Sequence, residues 1–130
     1  MKRVVLSLAL LVGVANLSGC FLVAAGAGAG AAIAYTNRGA SAKIPGSVDA
    51  AFTRAVSAFN ALQIAETGRS TADSGATRKL TGKLVDEEIT VEISRSSTET
   101  ANVEVVARKS AVEYDKTRAK EVLDRIVSGR

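Results

Sequence analysis

Between Val48 and Leu62 the larger apolar residues fall at Val48, Phe52, Val56, Phe59 and Leu62, while Asp49, Thr53, Arg54, Ser57 and Asn60 take the other side. Steps of four and three of this kind predict a helix with one apolar stripe. Pro45 and Gly46 precede it, Ser47 is its expected N-cap, and Asp49 suits the positive end of its dipole. After Thr77 the period changes to two. Leu80, Gly82 and Leu84 alternate with polar neighbours, then Ile89, Val91 and Ile93, then Ala101, Val103, Val105 and Ala107. Such alternation predicts strands of an antiparallel sheet with one wet face. Asp86-Glu87 and Ser96 to Glu99 separate the strands. A short first strand is expected at Ala32 to Thr36, and weak strand character appears at Gln63 to Thr67. Asp115 to Ser128 reads as a second helix, with Ala119, Val122, Leu123 and Ile126 as its stripe and Gly129 at its stop.

Two one-faced helices and a meander with one apolar face bury each other as an α+β two-layer sandwich, with two helices on one face of an antiparallel sheet of about four strands. The expected core is Phe52, Val56, Phe59, Leu62, Leu80, Leu84, Ile89, Val91, Ile93, Val103, Val105, Val122, Leu123 and Ile126.

The amino-terminal end follows a different logic. Lys2 and Arg3 precede an apolar run from Val4 to Ala15, and Leu17-Ser18-Gly19 leads into Cys20, the single cysteine of the chain. This arrangement resembles the lipobox of bacterial lipoproteins, with Leu17, Ser18 and Gly19 before the modified residue. The resemblance implies cleavage before Cys20, a diacylglyceryl group on its thiol and acyl chains such as palmitate holding the protein to a membrane. An uncleaved spanning helix is the competing reading, since the apolar run is long enough for one. A spanning helix has no need of that cysteine or of the glycines beyond it. The expected organisation is a signal peptide at 1–19, a lipidated Gly/Ala-rich tether with a possible first strand at 20–44, and an α+β domain at 45–130. Phe21, where an aspartate would resemble an inner-membrane retention signal, favours the outer membrane, facing the periplasm.

Charge and composition then narrow the chemistry. The 130 residues carry 17 Lys and Arg against 13 Asp and Glu, a formal charge of +4. Loss of Lys2 and Arg3 with the signal peptide would halve it. With no long basic run and few aromatics, nucleic acid is not an expected partner. With Cys20 acylated, no disulfide can form. The chain has no histidine, which removes imidazole acid–base chemistry and imidazole metal ligands. Gly26, Gly28 and Gly30 miss the dinucleotide spacing, although Gly26 and Gly30 fit a G-x-x-x-G helix-pairing step. Asp86, Glu87 and Glu88 read as solvated turn charges, and nothing fixes Lys109 against Tyr114. No enzyme activity and no cofactor are expected.

The wet face of the sheet would display Thr81, Lys83, Thr90, Glu92, Asn102, Glu104 and Arg108. An ordinary solubilising surface is one reading of it. The functional reading is a docking face for an envelope protein, centred on Glu92, Glu104 and Arg108. A carrier of a small apolar ligand or lipid between helices and sheet is the alternative, and requires a cavity of several hundred cubic ångströms.

The order of these features resembles a family of small bacterial lipoproteins, the domain-of-unknown-function 3568 family. The shared features are the glycine-rich segment after Cys20, Tyr35-Thr36-Asn37-Arg38-Gly39, the helix Val48 to Leu62, Ile89 to Ile93, Thr100 to Val105, and the helix around Val122 and Ile126. Phe52 stands where members often carry tryptophan, and Val112-Glu113-Tyr114-Asp115 replaces their glycine-aspartate turn. The resemblance implies an architecture and a cellular address, and no activity.

Overall fold

The computed structural model describes residues 32–129. Strands β1 (Ile33–Tyr35) and β2 (Gly39–Pro45) lead into helix α1 (Val48–Ala61). Then come β3 (Ala65–Ala72), a short 3₁₀ turn (Asp73–Gly75), β4 (Thr77–Leu84), β5 (Glu87–Arg95), β6 (Thr100–Arg108) and helix α2 (Lys116–Ser128). All strand pairs are antiparallel, in the order β1-β2-β6-β5-β4-β3. Helix α1 leaves β2 and delivers the chain to the far edge, and the meander β3 to β6 returns until β6 zips onto β2. Helix α1 lies over the β4–β5 half and α2 over β2 and β6, side by side on one face. The fold is the expected α+β sandwich, with six strands instead of about four.

The helix ends obey the expected capping chemistry. The Ser47 hydroxyl accepts from the Ala50 amide at 3.1 Å, and the Asp115 carboxylate accepts from the Arg118 amide at 2.8 Å. Gly129 closes α2 in the left-handed region, φ 66°. Helix α1 ends with Leu62, Gln63 and Ile64 amides donating to Ala58, Asn60 and Phe59 carbonyls. This is a Schellman closure with Gln63, at φ 56°, where glycine is usual.

The core between the layers contains no polar side chain among the described residues. Phe59, Ile44, Leu80, Ile89, Ile93, Leu123 and Ile126 are fully buried, and alanines fill the close approaches: Ala51, Ala55 and Ala58 on α1, with Ala40, Ala42, Ala101 and Ala107 on the sheet. Of the expected core, Val56, Leu62 and Leu84 are only partly covered. Ile44, Val48 and Ile64 join it instead. Gly82 is dictated by packing, because a Cβ there would meet the Phe59 ring at 2.6 Å and Ile64 at 2.7 Å.

The sheet takes in residues 33–35 and 39–45, and all of these before Pro45 fall in the segment that the sequence pattern assigns to the tether with its possible first strand. The lipobox residues Leu17, Ser18 and Gly19, the cysteine Cys20 and the tether as far as residue 31 lie outside the described residues. Among the described residues, no helix is long and apolar enough to cross a membrane.

Candidate functional site

Strand register decides what the open face presents. Ser41, Glu104, Glu92 and Lys79 stand opposite one another across β2, β6, β5 and β4. Two residues along, Gly39, Val106, Thr90 and Thr81 form the next row. Beyond that, Arg108, Glu88 and Lys83 make a third. The middle row is low and uncharged, and charged side chains flank it on both sides. The result is a groove across the strands, about 290 Å³ in volume, with Val106 and Thr90 in its floor and Arg38 and Tyr114 among its walls. Gly39 is required where the groove meets β2, since a Cβ would fall 1.9 Å from the Val105 carbonyl oxygen.

Most of the groove's charges are matched. Arg108 donates to Glu88 at 2.7 Å, and that hydrogen bond raises the Arg108 pKa. Lys79 lies 3.2 Å from Glu92. These pairs are half exposed and contribute little to stability. Glu104 and Arg38 form no ion pair among the described residues. Glu104 also stands directly opposite Glu92 on the same face, a like-charge cross-strand pair that opposes folding.

The three residues expected to form a docking face, Glu92, Glu104 and Arg108, therefore do share one surface. Lys79, Glu88, Arg38 and Tyr114 complete it. Lys79 and Glu88 follow from period-two alternation once the strands are registered. Arg38 and Tyr114 do not, because they arrive from a turn and from the loop before α2. Tyr114 pairs with Arg108 as an isolated bridge, a contact invisible in local sequence.

A second charged cluster ties the β4–β5 turn to the start of α2. Glu87 sits 3.3 Å from Arg118 and 3.8 Å from Lys109, and Lys109 sits 3.1 Å from Asp115. Glu87 is thus no freely solvated turn charge, as the Asp86-Glu87-Glu88 run suggested; its side chain is 15% exposed. Lys109 partners Asp115, and Tyr114 lies elsewhere. The hydrogen bond that Lys109 donates to Asp115 holds the Lys109 pKa above its ordinary value. Asp115 itself is lowered by the Arg118 amide and then by Lys109. A cleft of about 320 Å³ lies beside this cluster, lined by Leu84, Val85, Asp86, Glu87, Lys109 and Arg118. The cluster works as a staple, with each charge answered by its neighbour.

Among the described residues, no group of three or more acidic, histidine or cysteine side chains is arranged to hold a metal ion. The free sheet edge at β3 is exposed along its whole length. It is blunted by an irregularity between Glu66 and Gly68 and by the Glu66–Arg69 pair at 2.6 Å. The groove is the better built of the two surfaces. The family model described as Protein of unknown function (DUF3568) matches residues 3–128. No curated protein matches the chain.

Proposed function

The chain belongs to the family described as Protein of unknown function (DUF3568), and on that premise we propose that it is a lipid-anchored envelope protein that docks a partner on its open sheet face. The observation that carries the reading is the unmatched charge in the groove. Among the described residues, Glu104 opposes Glu92 without an ion pair of its own, and Arg38 at the wall has none either. A surface kept only for solubility gains nothing from a like-charge pair in the middle of a sheet.

The address rests on the sequence. Lys2-Arg3, the apolar run and Leu17-Ser18-Gly19-Cys20 support export, cleavage and acylation at Cys20, with the domain facing the periplasm from the outer membrane. Tethering raises the effective concentration of the domain at the membrane, so that weak docking suffices for assembly. Binding without catalysis agrees with the lack of histidine in the whole chain.

Carriage of an apolar ligand between the layers is the weaker proposal. The side chains of Phe59, Leu80, Ile89, Ile93 and Leu123 already fill that space.

Affinity capture from intact envelopes tests the reading. The wild-type chain is expected to retain a partner that the triple variant Glu92→Gln, Glu104→Gln, Arg108→Gln loses while keeping its fold. Retention by the folded triple variant would exclude the face. Metabolic labelling with palmitate tests the anchor separately: the wild type incorporates label and Cys20→Ala does not.

A further inference from the structure

We propose that the groove receives a short extended peptide segment that carries a cation over Glu104 and an anion at Arg38. The inference rests on the docking role of this face and specifies the chemistry of what is docked.

Three observations lead to it. First, the two charges of the groove that form no ion pair among the described residues, Glu104 and Arg38, have opposite sign. Glu104 has Glu92 across from it, so a cation placed there answers both carboxylates, one of which Lys79 already engages. Arg38 offers a planar guanidinium suited to a carboxylate.

Second, the groove is short. Arg38 sits in the turn that precedes β2, beside Gly39, and Gly39 is two residues from Ser41, the Cα partner of Glu104, a step of about 7 Å along the strand. A tripeptide, at most about 11 Å long when extended, is of that scale. The volume of about 290 Å³ is at the low end for small-ligand clefts.

Third, the floor between the charges is half-buried Val106 and Thr90 with Gly39 beside them. It offers apolar contact and a hydroxyl, with no large side chain to block a backbone crossing the strands. The occupant's charges would be fixed at two points and its small side chains accommodated between them.

Trialanine is the probe, followed by amide NMR of the ¹⁵N-labelled full chain in detergent micelles. Saturable shifts are expected at Thr90, Glu92, Glu104 and Val106. Acetylating the probe's amino end or amidating its carboxyl end should each weaken binding about tenfold, the worth of one charge-assisted hydrogen bond. Glu104→Gln and Arg38→Gln should weaken binding of unmodified trialanine to a similar extent. Glu104→Gln should also leave the melting temperature unchanged or slightly raised, because it relieves the repulsion with Glu92; a fall would mark Glu104 as structural and overturn the assignment. Absence of saturable shifts, or equal binding of the capped probes, would overturn it as well. If the triple variant still loses the envelope partner in that case, the docking face stands and only the peptide chemistry fails. If the triple variant retains the partner, both fail.

Discussion

The Arg78 guanidinium lies over the Phe52 ring, its central carbon 3.7 Å from the ring centroid, and its Nη1 donates to Asp49 at 2.8 Å. One side chain from β4 thereby closes the open flank of the core over the first turn of α1. Phe52 is 4% exposed, with Arg78 in contact with its ring and Arg69 farther off at 5.6 Å from the centroid.

Arg78→Ala is expected to cost about 1–2 kcal/mol, from the lost cation–π contact and the uncovered ring. Asp49→Asn removes only an exposed partner and should cost less than about 0.5 kcal/mol. Urea denaturation of both variants checks the ranking. Equal losses would show that the ion pair, not the ring, holds Arg78.

Asp115 combines a helix cap with an ion pair, and two substitutions separate them. Asp115→Ala should cost about 1 kcal/mol or somewhat more, whereas Asp115→Asn keeps the cap and costs less. Folded Asp115 titrates below an ordinary aspartate. Its charge-dependent contribution is therefore present in full above about pH 4 and is lost as pH falls through the folded pKa. Thermal melts of wild type and Asp115→Asn should accordingly differ at neutral pH and converge in acid.

Among the described residues, four non-glycine residues occupy left-handed backbone that glycine tolerates better: Asp73 and Ser74 in the 3₁₀ turn, Gln63 at φ 56° and Val85 at φ 55°. Val85 is also 85% exposed, so its branched side chain has no packing to offset the strain. Val85→Gly and Gln63→Gly should each raise stability by roughly 0.5–1 kcal/mol. The measurement is the shift in denaturation midpoint. A drop at Val85 would reveal a contact role for its exposed side chain.

Gly82→Ala should destabilise by about 1–3 kcal/mol through overpacking against Phe59 and Ile64. Adding Phe59→Leu, which opens room at the same spot, should recover part of that loss. Additive losses in the double variant would contradict the steric explanation.

The elements easiest to see in the sequence were those whose burial is periodic. Helices α1 and α2, with Ser47 and Gly129 at their ends, and strands β5 and β6 show stripes that match their buried faces. Strand β2 escaped, and β3 showed only as weak strand character at Gln63 to Thr67, for opposite reasons. In β2 the buried positions are Gly39, Ala40, Ala42 and Ile44, and with only Ile44 large among them no apolar period stands out. In β3 every residue is exposed, so no hydrophobic period exists, and main-chain hydrogen bonds to β4 hold the strand in place. The groove was half legible. Glu92, Glu104 and Arg108 follow from alternation, but the opposition of Glu92 and Glu104 requires register, which only pairing supplies.

The placement of β6 between β2 and β5 also sets an order of assembly. The meander from β3 to β6 joins neighbours in sequence and can form early, because its loops are short. Residues 39–45 have only the three-residue β1 as a local partner, and their other edge must wait for residues 100–106 to be synthesised and brought back. Until then the amino-terminal strands of the domain stay unzipped, so a chain that is threaded through a membrane before it folds passes with its sheet incomplete. The last zipper to close is the one nearest the amino-terminal end of the described residues.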